Sequence, residues 1–101
     1  IVENNGAIAN MQDDAMVEVV CELGANGPRP MSVGNIPQFN LGLLVNQVSC
    51  EKLIVDAYFE NSYQKALEAF TLNRLINDAK KARKVLDALI EANRGMWPEL
   101  R

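Results

Sequence analysis

The side chains of this sequence that could take part in chemistry fall into three small groups. Asp13 and Asp14 are adjacent carboxylates, which could ligate a divalent cation or could form a turn before a strand. Asn4, Asn5 and Gly6 could present amides and backbone N–H groups to an oxyanion or a sugar hydroxyl. The same three residue types are typical of a tight turn. We interpret both groups as turns first, and retain Asn4, Asn5 and Gly6 as residues that could face a cleft.

Gln47 and Glu51 form the third group, four residues apart and inside the apolar arc of a predicted helix. A buried carboxylate must be paired or neutral, so a specific partner is expected. One reading is a catalytic acid or an acid that supports one. The other is a buried hydrogen bond to neighbouring elements, or to a part of the protein outside this sequence. We predict the second, a buried polar pair.

The chain contains no histidine, which excludes most zinc-site spacings and the Ser-His and Cys-His nucleophile pairs. Tyr58 and Tyr63 have no neighbouring base and are interpreted as packing residues. Cys21 and Cys50 lie far apart in apolar patterns, which favours buried free thiols in a reducing cytoplasm, with a disulfide as the alternative. The residues by themselves therefore predict no catalytic, cofactor-binding or metal-binding side chain.

Length and charge limit the classes of protein that this chain could form. Its 101 residues suffice for one domain with a modest core. No apolar run reaches the length of a membrane span, and a net charge of −3 with mixed signs argues against a nucleic-acid surface. One short basic cluster is interpreted as a solvated helix face: Lys80, Lys81, Arg83 and Lys84. Because the chain begins with Ile-Val in a strand-like pattern, we expect it to be cut from a longer polypeptide.

The stretch from Pro37 to Glu60 predicts one long helix, since proline suits a first helical position. Apolar side chains cover well over half of its circumference, which is wider than the stripe of an ordinary surface helix. We therefore expect a central helix that is contacted from several sides. Two shorter helices should follow, Tyr63 to Leu72 with Ser62 as N-cap, and about Asp78 to Arg94.

The strands are predicted before the helices. Ile1-Val2 reads as the end of a strand, and Ala15 to Leu23 alternates as a strand with one wet face. Gly24 to Gly27 should form a turn, followed by a short edge strand at Met31–Val33, because prolines cannot donate to a ladder. The predicted fold class is α+β, a short antiparallel β-hairpin plus three helices.

Read as whole segments, the chain resembles the C-terminal end of the family 4 glycoside hydrolases. The segments that carry the resemblance are IVENNGAIAN, AMVEVVCELGANGPRP, IPQFNLGLLVNQVSCEKLIVDAYFENSYQKALEA and IEANRGMWPEL. Within the family, IPQF, the QVS-EKL run and the IEAN and WPEL pair are most similar to the 6-phospho-α-glucosidase (maltose-6′-phosphate glucosidase) branch. The Asn-Asn-Gly and Val-Glu-Val segments are shared with the 6-phospho-β-glucosidase branch, which stays the alternative. Met11-Gln12 departs from a Leu-Pro-like turn found in many relatives.

The resemblance implies the C-terminal part of a lactate/malate dehydrogenase-like second domain, spanning residues 1–101, with the Rossmann NAD domain absent. Family members are cytoplasmic, NAD- and Mn-dependent, homo-oligomeric enzymes that cleave phosphorylated disaccharides by redox elimination. Their NAD loop, metal ligands, tyrosine base and phosphate-binding arginine all lie upstream of this segment. Cys21 and Tyr58 are therefore not expected to be the metal cysteine or the base.

A structural and oligomerisation role is what the resemblance leaves for this piece, which we expect to be inactive alone. Its implied partners are the remainder of the parent enzyme and further copies of it, with no nucleic acid and no membrane. The rival hypothesis is an autonomous α+β protein-interaction module whose apolar helix docks a partner.

Overall fold

The structure is a computed structural model that describes all residues from 1 to 101. Three helices and two antiparallel two-stranded sheets confirm the α+β class. The chain divides into two compact units, Ile1–Val45 and Asn46–Arg101. The elements in chain order are β1 Val2–Glu3, β2 Met16–Val17, β3 Cys21–Gly24, β4 Gly27–Pro30, α1 Gln38–Glu60, α2 Tyr63–Leu72 and α3 Ala79–Ala92.

Helix α1 confirms the predicted long helix, with both ends explained by local chemistry. Leu41 N–H donates to the Pro37 carbonyl at 3.0 Å, so the proline lies just before the first helical residue rather than on it. At the other end Asn61 has φ of 55°, and Ser62 N–H donates back to the Ala57 carbonyl at 2.9 Å. A left-handed residue followed by this bond is a Schellman stop. None of the helices has the length and apolarity needed to cross a bilayer.

Side-chain caps define the starts of the two shorter helices. Ser62 Oγ accepts from Lys65 N–H at 3.3 Å, which confirms the predicted start of α2. Asp78 Oδ1 accepts from Lys81 N–H at 2.7 Å and caps the start of α3, where the sequence predicted that the helix begins. Helix α3 ends at Ala92, two residues short of the predicted Arg94.

The core of the second unit lies where the three helices meet. Its fully enclosed members are Ala57 on α1, Ala66 on α2 and Leu86 on α3. Two alanines at this point let the helix backbones approach closely around one large side chain. Half-buried apolar side chains complete the cluster: Ile54, Tyr63, Leu67, Phe70, Ile90 and Leu100.

The predicted strand from Ala15 to Leu23 is divided in the structure. It contributes β2 and β3, and Glu18–Val20 between them belongs to neither strand. The predicted alternation of faces is confirmed at the start of the stretch, where Val17 is buried and Met16 is exposed. It is wrong at the far end, where Leu23, on the same face as Val17, is 86% exposed.

The edge strand was predicted at the wrong residues. Strand β4 is Gly27–Pro30 and pairs with β3 in the register Gly24↔Gly27, Glu22↔Arg29. Pro28 and Pro30 fall opposite Leu23 and Cys21. The bond from Met31 N–H to Val20 O at 2.9 Å shows that these are the non-hydrogen-bonded pairs of the ladder. A proline there loses no ladder bond, so the objection to proline in this strand did not apply.

Candidate functional site

Asn4 is the most completely engaged polar side chain of the loop that the sequence singled out. It is fully buried, and its Nδ2 donates to the carbonyls of Ile8, Met11 and Gln12 at 3.1, 3.2 and 3.2 Å. Its Oδ1 accepts from Ile8 N–H at 2.7 Å. One side chain thus ties residues 4–12 into a closed loop. Because both of its polar atoms are used inside this loop, Asn4 does not present its amide to a cleft.

Asn5 and Gly6 form the exposed tip of the same loop. Their φ angles are 41° and 82°, and Ala7 N–H donates to the Asn4 carbonyl at 2.8 Å. Two positive φ values inside such a bond are the signature of a type I′ turn, which Asn-Gly favours. The turn interpretation is therefore confirmed. That Asn5 and Gly6 face a cleft stays a prediction.

The loop is joined to the approach of α1 by a second asparagine. Asn10 Nδ2 donates to the Ile36 carbonyl and its Oδ1 accepts from Ile36 N–H, both at 3.0 Å. This side chain pairs with the backbone as a strand residue would. The loop that carries the exposed turn at Asn5 and Gly6 is thus bonded to its surroundings by two asparagine side chains.

Asp13 and Asp14 occupy a turn, as the first interpretation held. Both are exposed, and the Asp13 carbonyl accepts from Asn5 N–H at 2.9 Å. No group of three histidine, cysteine, aspartate or glutamate side chains in this chain is placed to hold a metal ion.

The prediction that Gln47 and Glu51 are buried is wrong in this structure. Both side chains are exposed, and Gln47 Nε2 donates to Glu51 Oε1 at 2.8 Å along the helix surface. They were predicted to be buried because they lie inside the apolar arc of α1. The other elements of this chain cover only part of that arc, since Val55 and Tyr58 are also exposed.

Two polar contacts between helices were missed by sequence reasoning. Tyr63 Oη donates to Asp87 Oδ1 at 2.7 Å, and this bond raises the pKa of the tyrosine above its ordinary value. Lys65 Nζ pairs with Glu60 at 2.6 Å and Asp56 at 3.1 Å, which raises the pKa of the lysine. Partners 24 residues apart, as in the tyrosine pair, follow no helical spacing and leave no local signal.

Both thiols are free, as predicted, but their surroundings differ. Cys50 is buried, and burial together with the nearby Glu51 charge raises the pKa of its thiol. Cys21 is half-buried, and its Sγ lies 3.5 Å from the Val19 carbonyl. A raised pKa disfavours the thiolate, so Cys50 has none of the character of a nucleophile.

Two cavities of the second unit contain no group of catalytic side chains. A small apolar cavity of about 70 Å³ is closed by Trp97 and Pro98. A wide polar depression of about 650 Å³ lies beside Glu60, Asn61 and Arg101. Neither contains a nucleophile beside a base, which covalent or acid–base catalysis would need. Among the groups that the sequence singled out, the tip of the asparagine loop, residues 4–12, stays the candidate to face a cleft.

A family model and the curated relatives match this chain to the same family of proteins. Residues 1–76 match the model of the family 4 glycosyl hydrolase C-terminal domain. The maltose-6′-phosphate glucosidase of Bacillus subtilis (strain 168) is 55% identical over 100 residues, covering 99% of this chain and 22% of that protein. The chain thus spans less than a quarter of the length of the curated relatives that it matches.

Solved structures give the same assignment. A 6-phospho-α-glucosidase from gut microorganisms, in complex with NAD and Mn²⁺, is 82% identical with a TM-score of 0.96, covering 99% of this chain and 23% of that one. The 6-phospho-β-glucosidase of Thermotoga maritima with manganese, NAD⁺ and glucose-6-phosphate is 30% identical with a TM-score of 0.87, covering 99% and 24%. The fold is therefore shared across both branches, and the sequence is more similar to the α-glucosidase.

Proposed function

This chain belongs to the family 4 glycosyl hydrolases, as their C-terminal domain, and on that premise we propose that it is the C-terminal piece of a 6-phospho-α-glucosidase. The parent enzyme would hydrolyse phosphorylated disaccharides such as maltose 6′-phosphate. The observation that carries the proposal is the 82% identity to a solved 6-phospho-α-glucosidase along nearly the whole chain. Identity falls to 30% for the β-specific structure, which favours the α branch.

The residues of this chain do not fit NAD or Mn²⁺, which the family and the bound relatives imply. There is no metal-holding group of side chains, no histidine, and no glycine-rich loop between a strand and a helix. We therefore assign both cofactors to the remainder of the parent enzyme. There they would supply the redox-elimination chemistry of the family, and this piece would take no direct part in it.

The role that we propose for this piece is architectural. Helix α1 exposes a row of large apolar side chains, among them Leu44, Val55, Tyr58 and Phe59. Apolar patches of this kind are usually covered by another part of the protein or by a partner. The remainder of the parent enzyme and further copies of it in a homo-oligomer would provide that cover. Two free thiols are consistent with a cytoplasmic enzyme.

The asparagine loop would contribute to the active-site cleft through its tip. Its exposed turn, Asn5 and Gly6, is held by Asn4 and Asn10, which gives it a defined position. The preference of backbone N–H groups and amides for sugar hydroxyls suits such a tip.

The experiment compares the full parent enzyme with the isolated 101-residue chain. Both are supplied with NAD, Mn²⁺ and chromogenic 6-phospho-α- or 6-phospho-β-glucosides. We expect the parent to cleave the α substrate and the isolated chain to give only background. Preference of the parent for the β substrate would move it to the other branch. Turnover by the isolated chain would contradict the assignment of both cofactors to the remainder.

A further inference from the structure

The gap between β2 and β3 coincides with the point where β1 runs out of residues. Strand β1 pairs with β2 in the register Val2↔Val17 and Glu3↔Met16. We propose that in the parent polypeptide residues 15–24 form one central strand, and that the segment directly preceding Ile1 continues β1 along it. This inference rests on the proposed function in one respect only, that the chain is part of a longer polypeptide.

The first step is the direction of the backbone groups of β2. Asn4 N–H donates to the Ala15 carbonyl at 2.8 Å, which makes Asn4 and Ala15 a hydrogen-bonded pair of the β1–β2 ladder. Hydrogen-bonded and non-hydrogen-bonded pairs alternate in an antiparallel ladder, so Val2 and Val17 form the next hydrogen-bonded pair. Odd-numbered residues of this strand therefore direct their N–H and C=O groups toward β1.

The second step is the direction of the backbone groups of β3. Met31 N–H donates to the Val20 carbonyl at 2.9 Å, so Val20 and Met31 are a hydrogen-bonded pair beside β4. By the same alternation Glu22 and Gly24 also direct their groups toward β4. Odd and even residues of one strand point to opposite edges. Strands β1 and β4 thus lie on opposite edges of one continuous strand, as a three-stranded antiparallel sheet requires.

The free edge is defined by this alternation. Val19, Cys21 and Leu23 would direct their N–H and C=O groups to the edge that β1 occupies further back. The Val19 carbonyl has only the Cys21 thiol nearby, at 3.5 Å, and a thiol is a weak donor. A row of unpaired backbone groups of this kind is a template for a further strand.

Side-chain burial shows the same missing neighbour. The odd-numbered face is enclosed beside β1, where Ala15 is 1% exposed and Val17 is 6% exposed. Exposure rises along the strand beyond the end of β1, and Leu23 at the far end is 86% exposed. An apolar face that opens where its neighbouring strand ends has lost cover from that side.

The occupant is identified by covalent continuity with β1. Extending the register Val2↔Val17 backwards places the first residue before Ile1 opposite Val19 and the third residue opposite Cys21. The maltose-6′-phosphate glucosidase and the 6-phospho-α-glucosidase compared above are more than four times as long as this chain. A parent polypeptide of that length has enough residues outside this chain to supply the segment. A segment already bonded to β1 pays almost no loop-closure entropy to pair in this register.

A disulfide in the full-length parent enzyme tests the register. Val20→Cys is combined with cysteine at the second residue before Ile1, since these two positions would form a non-hydrogen-bonded pair. Such pairs have Cα atoms about 4.5 Å apart, within disulfide range. The matched control combines Val20→Cys with cysteine at the third residue, whose side chain would point to the opposite face. Both variants also carry Cys21→Ser, because the third residue would lie opposite the free thiol of Cys21. We expect an intramolecular disulfide in the first variant only, located by peptide mass spectrometry.

Equal cross-linking of both variants, or of neither, would overturn the register. A disulfide between two chains would overturn the choice of occupant, because it would put a second copy on this edge. Disulfide formation does not depend on turnover, so a parent enzyme that cross-links but cleaves no 6-phosphoglucoside would refute the proposed function alone.

Hydrogen exchange provides a second measurement that needs no variant. In the unmodified parent enzyme, the amides of Val19, Cys21 and Leu23 should exchange at least about tenfold more slowly than in the isolated chain. The amides of Glu22 and Gly24 already face β4 and should change less. Uniform slowing of odd and even amides would indicate general burial and contradict strand pairing.

Discussion

Replacing Asn4 by aspartate is the sharpest test of the asparagine loop. The two side chains have the same shape, but aspartate puts an oxygen where Nδ2 now donates to the carbonyls of Ile8, Met11 and Gln12. An ionised carboxylate would face three carbonyl oxygens in a site with no exposure. The folded state can avoid this repulsion only by protonating the new carboxyl.

The cost of that protonation gives the magnitude. Holding a carboxyl of ordinary pKa near 3.9 in its neutral form at pH 7 costs roughly 4 kcal/mol, at about 1.4 kcal/mol per pH unit. A neutral carboxyl also has one O–H where the amide had two N–H groups, for a further loss of about 1 kcal/mol. Water entering the loop would reduce the total, so we expect Asn4→Asp to lose about 3–5 kcal/mol at pH 7.

The sign of the pH dependence follows from the direction of the pKa change. Burial among carbonyls raises the folded-state pKa of the introduced carboxyl above its unfolded value. Its penalty is therefore nearly absent below about pH 4, and grows as the pH rises toward the folded-state pKa. Stability of the variant should approach that of the unmodified chain in acid and diverge from it toward neutrality.

The measurement is urea unfolding followed by circular dichroism between pH 4 and pH 7, with hydrogen exchange at the Ile8 amide as a local readout. Asn5→Asp is the matched control, because it makes the same chemical change at an exposed neighbour whose Nδ2 reaches only Glu3, at 3.2 Å. It should cost less than about 1 kcal/mol. Equal effects of the two changes, or no pH dependence for Asn4→Asp, would refute the enclosed loop and return Asn4 to the cleft-facing candidates.

Three further predictions concern the second unit and the thiols. Leu86→Ala should lower the free energy of unfolding in urea by about 3 kcal/mol, because this side chain has no exposure. Leu89→Ala, at 37% exposure on the same helix, should lower it by less than half as much. Similar losses for both variants would place the core elsewhere. Tyr63→Phe should lose about 1 kcal/mol at pH 7. Because the folded-state pKa of Tyr63 is raised, its hydrogen bond stabilises the chain fully below about pH 10, and this stabilisation is lost as the pH rises through the folded-state pKa. The stability of Tyr63→Phe should therefore decline less in alkali than that of the unmodified chain. An identical decline would show that other groups cause it. A thiol reagent should label half-buried Cys21 in the native chain and Cys50 only on unfolding, and the reverse order would contradict the burial described.

The helices could be predicted from the sequence because their signals are local. Ser62 and Asp78 are caps whose side chains bond three residues ahead, so a short window of sequence contains the whole interaction. The inner stripes that converge on Leu86 follow from helical spacing alone. The asparagine loop was harder, since Asn-Gly indicates a turn but nothing in the sequence shows that Asn4 reaches Gln12.

The strands were less predictable because a ladder depends on a partner as well as on its own residues. Pro28 and Pro30 were excluded from a strand on chemistry that is correct for hydrogen-bonded positions. In the structure Pro28 and Pro30 lie in non-hydrogen-bonded pairs, on either side of Arg29 in a hydrogen-bonded pair. The register with β3 determines which residues take which kind of pair. Register across a turn cannot be read from one strand by itself.

The two clearest errors of prediction have one explanation if the chain is part of a larger enzyme. Gln47 and Glu51 were predicted to be buried, and the strand from Ala15 to Leu23 was predicted to be continuous. Both predictions were drawn from apolar residues that the other elements of this chain cover only in part. These residues lie on α1 in the first case and beside β1 in the second. A sequence is adapted to every neighbour of its folded state, including those encoded outside the segment. Misplaced burial therefore marks the surfaces where the missing neighbours belong, and at the free edge beside Val19 the register also indicates which residues they are.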